Sequence, residues 1–241
     1  MRLRTPSPRD VIPYKIAAFD TLPSTQDELR RRLVSGEDVH GLVVQAACQT
    51  AGRGRRARDW QAGRGGSYQT LAVRAGNVTP PYAALVFALG LAEVFPTYGV
   101  QVGLKWPNDL FYRDKKLAGI LVEQVQGYLL IGVGLNVNNE VPEGAVGLRG
   151  WDVQGAHMVV LEGLGHGLAH LEDETFRLSE AYKPFDLLLG EQLELLTAGG
   201  LESGVGAGID ASGQLLLRQG EQVAAYPGGH LQSFSLRRLR V

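Results

Sequence analysis

Gly52-Arg53-Gly54-Arg55-Arg56-Ala57-Arg58-Asp59-Trp60 is the stretch on which the reading of this chain turns. It carries four arginines, ends in a tryptophan, and is followed closely by Gly63, Gly65 and Gly66. Glycine lets a backbone come close to a ligand and adopt positive φ. Arginine presents a planar fork of donors that matches phosphate or carboxylate. The run leading into it, Gly41-Leu42-Val43-Val44-Gln45-Ala46-Ala47, reads as a buried strand. The stretch therefore describes a strand that opens into a flexible cationic loop. Alone, it fits an anion-binding loop, a solvated charged loop or a basic patch for nucleic acid.

Composition narrows this. The formal net charge of the 241-residue chain is −1, so no global field draws it to nucleic acid or an anionic membrane, and the arginine cluster is local. Of the lysines (Lys15, Lys105, Lys115, Lys116, Lys183), three fall in one short segment. The single cysteine, Cys48, excludes an internal disulfide and a multi-cysteine metal site. No apolar run reads as long enough to span a membrane. Met1 to Asp10 is basic and proline-bearing without an apolar core behind it, so it does not read as a signal peptide. A cytoplasmic protein is expected.

Outward from the loop, residues 1–12 read as a loose arm and Tyr14 to Phe19 as a short strand. Thr25 and Glu28 fit a capping box at the start of a helix whose apolar face is Leu29, Leu33 and Val34 and which Gly36 ends. On local grounds Ser24 and Thr25 read first as helix caps and nothing more. Ser67 to Arg74 alternates as a strand. Thr79-Pro80-Pro81 opens a helix that is apolar nearly all round, hence buried. Val100 to Leu104 is expected to be a strand delivering Lys105-Trp106-Pro107-Asn108-Asp109. Leu110 to Tyr112 and Leu117 to Val125 read as a hairpin with Arg113-Asp114-Lys115-Lys116 at its turn. Tyr128 to Val137 is a strand holding Gly132 and Gly134, a sign of close approach by another group. A helical pattern covers about 155–185. Beyond Pro184, short strands and glycines suggest a small β-barrel.

The chemistry gathers in two loops, 49–60 and 105–116. A lysine at a strand entrance can reach a phosphate as a point charge. A carboxylate beside phosphates, here Asp109, can hold Mg²⁺ or accept a proton from an amine. These parts suit a site that activates an acid with a nucleotide. Gly-x-Gly-Arg-Arg lacks the Gly-Lys-Ser/Thr ending of a P-loop, and no Gly-x-Gly-x-x-Gly opens a helix. His166 and His170 have a metal-compatible i, i+4 spacing but no carboxylate arrangement in the sequence to support it.

Four motifs in order go further. Gln49-Thr50-Ala51-Gly52-Arg53-Gly54-Arg55-Arg56, Lys105-Trp106-Pro107-Asn108-Asp109, Lys116-Leu117-Ala118-Gly119-Ile120-Leu121-Val122-Glu123 and Ile131-Gly132-Val133-Gly134-Leu135-Asn136-Val137-Asn138 closely resemble biotin–protein ligases. The resemblance covers roughly 18–140 and returns in the tail at Gly208-Ile209-Asp210, Gly213 to Leu217 and Gly228-Gly229. It implies an α+β fold with a mixed, mainly antiparallel sheet over residues 1–187, and an SH3-like β-barrel over 188–241. It implies ATP-dependent formation of biotinyl-5′-AMP, with Mg²⁺, and transfer of biotin to a lysine of a biotin carboxyl carrier domain.

By the same resemblance, Ser24, Thr25, Gln26 and Gln49 contact biotin. Gly52, Arg53, Gly54 and Arg55 close over biotin and the adenylate phosphate, and Gly132 and Gly134 lie against them. Lys116 reaches the biotin carboxylate and the α-phosphate, Asp109 orients the amine or metal, and Trp60, Asn108 and Asn136 serve the nucleotide. Arg55, Lys116 and Asp109 carry the catalysis, and no metal ligand is assigned with certainty. Ala57 stands where the family usually has glycine, Gln26 where it has asparagine, and Ser67-Tyr68-Gln69-Thr70-Leu71 replaces its usual Leu-Tyr-Leu-Ser, which puts the biotin pocket wall in question. About 15 residues precede the catalytic part, too few for the winged helix of the family's repressors, so no DNA partner is expected. A homodimer through the catalytic sheet is compatible with the resemblance. The rivals are a lipoate–protein ligase of the same fold and a DNA-binding regulator.

Overall fold

The computed structural model describes residues 14–236; the arm expected over 1–12 lies outside them. The apolar run before the arginine loop forms strand β2 (Leu42–Gln49), parallel to β1 (Lys15–Leu22). A parallel pair needs a crossover, and helix α1 (Thr25–Val34) supplies it. The remaining strands of this sheet pair antiparallel: β3 (Ser67–Arg74), β4 (Gly103–Lys105), β5 (Asp109–Tyr112), β6 (Lys115–Val125) and β7 (Tyr128–Leu135). The seven-stranded order is β1-β2-β3-β7-β6-β5-β4. This is the mixed, mainly antiparallel sheet that the resemblance implied.

Strand alternation divides the sheet's two faces. Leu71, Val73, Ile131 and Ile120 point into a core with helices α2 (Pro80–Val94) and α3 (Val153–Glu172). The short helix α4 (Leu178–Tyr182) joins the same core through Leu178 and Tyr182. On the opposite face, Val44, Ala72 and Leu130 pack under Leu29 and Leu33 of α1. Helices α2 and α3 touch through glycines: a Cβ on Gly90 would lie 2.5 Å from the Gly163 carbonyl oxygen. By length and composition Pro80–Tyr98 is long and apolar enough to cross a bilayer, contrary to the sequence reading. In the fold its apolar side chains are taken up by the sheet and α3.

Several local expectations change. Ser24 is the N-cap of α1 but its side chain caps nothing, and Glu28 pairs with Arg31 and Arg32 instead of closing a capping box. Gln49 does the capping, its Oε1 accepting from the Thr25 amide at 2.7 Å. The strand at 100–104 shortens to three residues. The hairpin turn is Arg113-Asp114 alone, both at positive φ (50° and 59°) as a type I′ turn requires, so Lys115 and Lys116 belong to β6.

The chain ends in a five-stranded antiparallel sheet: β8 (Gln192–Thr197), β9 (Gly200–Ile209), β10 (Leu215–Gln219), β11 (Gln222–Tyr226) and β12 (His230–Phe234), in the order β11-β10-β9-β8-β12. Among the described residues no ladder joins β11 to β12. Leu193, Leu195, Ile209, Leu215 and Leu217 continue the core of the larger sheet, and Trp106 Nε1 donates to the Gly213 carbonyl at 3.0 Å.

Candidate functional site

On the α1 face of the sheet, beyond the helix, the inward positions of β6 and β7 are glycines: Gly119, Gly132 and Gly134. Alternation would otherwise fill that face with side chains. Their absence leaves a cavity of about 220 Å³. Trp60, brought in by the arginine loop, lies flat on the bare strands: a Cβ on Gly134 would stand 2.5 Å from its Cε2, and one on Gly119 3.1 Å from its Cζ3.

One end of the cavity is neutral and polar. Thr25 Oγ1 and Thr70 Oγ1 share a hydrogen bond at 2.7 Å, and Thr25 Oγ1 donates to Gln49 Oε1 at 3.1 Å. Gln26 Nε2 donates to the Leu121 and Leu130 carbonyls at 2.9 and 3.3 Å. Gln26 Oε1 and Trp60 Nε1 are buried without hydrogen-bond partners among the described residues, leaving one acceptor and one donor in the cavity wall.

The other end is cationic. In the ladders Gly132 faces Leu121, Gly134 faces Gly119, and Gly119 faces Asp109. The polar end thus lies two strand positions, roughly 7 Å, from the level of Asp109. Lys116 Nζ pairs with Asp109 Oδ1 at 2.7 Å and stands 5.2 Å from the Trp60 ring centre. Lys116 reaches this face because the β5–β6 register slips past Leu117, a bulge that turns it to the same side as Gly119. Arg55 Nη1 donates to Asn108 Oδ1 at 3.0 Å, and Asn108 Nδ2 donates to the Ile120 carbonyl at 2.8 Å. Burial pushes the Arg55 pKa below its ordinary value, aided by Arg56 and opposed by Asp109. Burial likewise lowers Lys105; Asp109 opposes this, while Lys116, Arg55 and Arg58 reinforce it. The cavity wall carries six arginine and lysine side chains against the carboxylates of Asp59 and Asp109, so this end favours anions.

The structure brings together Ser24, Thr25, Gln26, Gln49, Arg53, Gly54, Arg55, Trp60, Asn108, Asp109, Lys116, Gly132 and Gly134 around one cavity. Gly52 and Asn136 do not line it. Gly52 closes the loop's base, accepting from the Trp60 amide at 2.9 Å, and has no room for a Cβ. Asn136 is buried behind the cavity and accepts from Asn139 Nδ2 at 3.1 Å. Of the departure at 67–71, Gln69 points away, donating to the His157 carbonyl and Ser67 Oγ at 3.1 Å each, while Thr70 faces the cavity.

Lys105, Thr70, Gly229 and the first residues of β12, His230 and Leu231, also line the cavity and were missed. Lys105 and Gly229 lay within quoted motifs, and the strand at 67–74 held Thr70; His230 and Leu231 at the start of β12 gave no local signal. His166 and His170 meet a carboxylate after all: both contact Glu93 Oε2, at 3.2 and 2.8 Å, linking α3 to α2. Among the described residues no group of three His, Cys, Asp or Glu side chains could hold a metal.

This architecture, a glycine-floored cavity on a mixed sheet under an arginine loop, has close counterparts. Residues 18–138 match the Biotin/lipoate A/B protein ligase family, and the chain belongs to that family. It is 34% identical over 223 residues to the biotin–[acetyl-CoA-carboxylase] ligase of Mycobacterium tuberculosis, spanning 86% of this chain and 84% of that one. It is 30% identical over 236 residues to the bifunctional ligase/repressor of Escherichia coli, spanning 90% and 73%. The Aquifex aeolicus biotin protein ligase, solved with biotin and ATP, superposes with a TM-score of 0.81 at 28% identity, covering 92% of this chain and 98% of that one.

Proposed function

We propose that the chain is a biotin–protein ligase that makes biotinyl-5′-AMP from biotin and ATP, then passes biotin to a lysine of a carrier domain of a carboxylase. The observation that carries this is the polarity of the cavity: a neutral donor–acceptor end at Thr25, Gln26, Gln49 and Thr70, a slot against Trp60, and a cationic end at Lys116 and Arg55. A ureido ring, a short apolar body and a terminal carboxylate have the same order of chemistry. The unmatched Gln26 Oε1 and Trp60 Nε1 suit a head group that both donates and accepts.

In the first step the biotin carboxylate attacks the α-phosphorus of ATP and pyrophosphate leaves. Lys116 and Arg55 offset the negative charge that gathers there, a contribution that is largest where the donors are already in place. In the second, the carrier amine attacks the acyl carbon of the mixed anhydride and AMP leaves. Asp109 is the carboxylate placed to orient that amine. Among the described residues Asp59 and Asp109 are the only carboxylates lining the cavity, which fits Mg²⁺ carried chiefly by the triphosphate. The ion would there neutralise phosphate charge.

We read residues 188–241 as an SH3-like barrel domain and residues up to 187 as the catalytic domain. The short antiparallel strands β8 to β12 and the register slips in the β9–β10 and β8–β12 ladders support this. A reaction drawing on ATP and an unmodified carrier suits the cytoplasm.

The test is incubation of the purified chain with biotin, ATP and Mg²⁺, followed by addition of a folded carrier domain. Biotin-dependent pyrophosphate release and then labelling of one lysine are expected. Lipoate supporting the reaction in place of biotin, or no pyrophosphate at all, would refute the reading.

A further inference from the structure

The arginines of the loop have different partners. Arg55 faces Asn108 within the cavity, and Arg56, at φ 56°, donates to the Gly229 carbonyl at 2.9 Å. Arg53 lines the cavity as well, but its guanidinium is taken up by two carboxylates that do not. Its Nη1 pairs with Asp27 of α1 at 2.8 Å and its Nη2 with Glu123 of β6 at 2.7 Å. The second oxygen of Glu123 pairs with Arg30 at 3.2 Å, and Arg30 lies one helical turn beyond Asp27. The four side chains form a chain of charge, Asp27–Arg53–Glu123–Arg30, that clips the loop to α1 and to the strand flooring the cavity. Asp27, Arg30 and Glu123 do not line the cavity.

We propose that Asp27 and Glu123 are positioning residues for the adenylate chemistry: they hold Arg53, and through it the 50–60 loop, closed over the cavity. The inference rests on the ligase reading for the chemistry, but the latch itself concerns the loop alone. The loop's own backbone bonds are local, Gly54 N donating to the Arg58 carbonyl at 2.8 Å and Trp60 N to that of Gly52 at 2.9 Å, so its middle is held to the rest of the fold by side chains: Arg55 on Asn108, Arg56 on the Gly229 carbonyl, and Arg53 on two carboxylates. The ion pairs are partly exposed, at 37% for Arg53, 44% for Asp27 and 22% for Glu123. Each such pair shifts an equilibrium by about fivefold at most and weakens with salt. A latch of that strength can keep a reactive anhydride from water and still open for an acceptor lysine. Arg30 keeps Glu123 aligned from behind.

The test uses the full chain carrying Glu123→Gln or Asp27→Asn. Hydrogen exchange without substrates reports the latch: the Gly54 and Trp60 amides should exchange several-fold faster in both variants, and in the parent on going from about 0.05 M to about 0.5 M salt. Exchange in α2 should stay parental, which shows that the fold is kept. Asp27→Glu, retaining the carboxylate, should restore slow exchange. With biotin and ATP, Glu123→Gln should release pyrophosphate in a single turnover at the parental rate yet lose biotinyl-AMP to solution roughly twofold to fivefold faster, within the range one such pair allows. Parental loop exchange in both variants would overturn the latch whatever the reaction. Fast exchange with parental adenylate retention would overturn its positioning role. A parent that releases no pyrophosphate would defeat the ligase reading instead, and the exchange data would still decide the latch.

Discussion

Replacing Gly134 by alanine tests the cavity floor most directly. The new methyl would lie 2.5 Å from Trp60 Cε2 and 2.6 Å from Nε1, about 1 Å inside ordinary contact of 3.4–4 Å. The strand cannot yield, because Gly134 is held between Tyr68 of β3 and Gly119 of β6. Trp60 therefore moves by about 1 Å, the overlap divided by no other soft neighbour. The free space available to it is the cavity, so the displaced ring enters the slot meant for the ligand's body. The loss falls on binding more than on folding. Biotin affinity should drop at least ~10-fold, which is ~1.4 kcal/mol, while the melting temperature changes by no more than a few degrees. Isothermal titration with biotin measures the first, and calorimetric melting the second. Gly155→Ala is the control, since its Cβ would meet nothing closer than 3.8 Å. A folded Gly134→Ala protein with parental biotin affinity would refute the placement of the ligand over Gly134 and Trp60.

Lys116→Ala should slow adenylate formation roughly 10²–10³-fold in single-turnover pyrophosphate release, the usual cost of losing one preorganised charge at a developing anion; a near-parental rate would remove Lys116 from the chemistry. His157 concerns stability: it is buried against Ser67 Oγ at 2.7 Å, and burial holds its pKa below the ordinary 6.5. Its contribution is therefore full above pH 6.5 and is lost as pH falls through the folded value, where the unfolded chain binds the proton first. Melting temperature should decline below pH 6.5, and His157→Gln should flatten that decline; the same slope in both proteins would contradict the assignment.

What was legible in the sequence was what local chemistry decides. Ser67–Arg74 alternates enough to read as a strand, and the structure gives a strand with those bounds. Thr79-Pro80-Pro81 starts a helix where two prolines leave no amide hydrogen bonds to lose. Gly132 and Gly134 pointed to a close neighbour, and Trp60 rests on Gly134. The failures lie where a distant residue takes over a local role. Thr25 and Glu28 have capping-box spacing, but Gln49, 24 positions away, supplies the acceptor. Lys115 and Lys116 look like turn residues because they are charged and adjacent. The left-handed backbone at Arg113 and Asp114 completes the turn first and leaves them in the strand. His230 reaches the cavity only because β12 pairs with β8, a contact with no sequence neighbour to announce it.

The arginine loop shows why a motif can be found while its division of labour stays hidden. In sequence Arg53 and Arg55 are equivalent cations two positions apart. Alternation alone would send both to the same side of an extended backbone. The helical turn Arg55–Ala57 breaks that pattern, and what each meets then depends on elements far away: Asn108 beyond β4 for Arg55, Asp27 and Glu123 for Arg53. Arg55 is partly buried beside other cations, which lowers its pKa and leaves a site that an anion would relieve. Arg53 is already neutralised by two carboxylates, so its charge is committed before any ligand arrives. A phosphate at the mouth of the cavity should accordingly draw on Arg55 and Lys116, with Arg53 acting through the backbone it holds. Loss of Arg53 should then change how long the adenylate stays more than how fast it forms, and loss of Arg55 should do the reverse. A matched pair of Arg53→Gln and Arg55→Gln variants, compared for single-turnover pyrophosphate release and for adenylate retention, separates the two. The same ranking of the variants in both measurements would mean that the two arginines share one role.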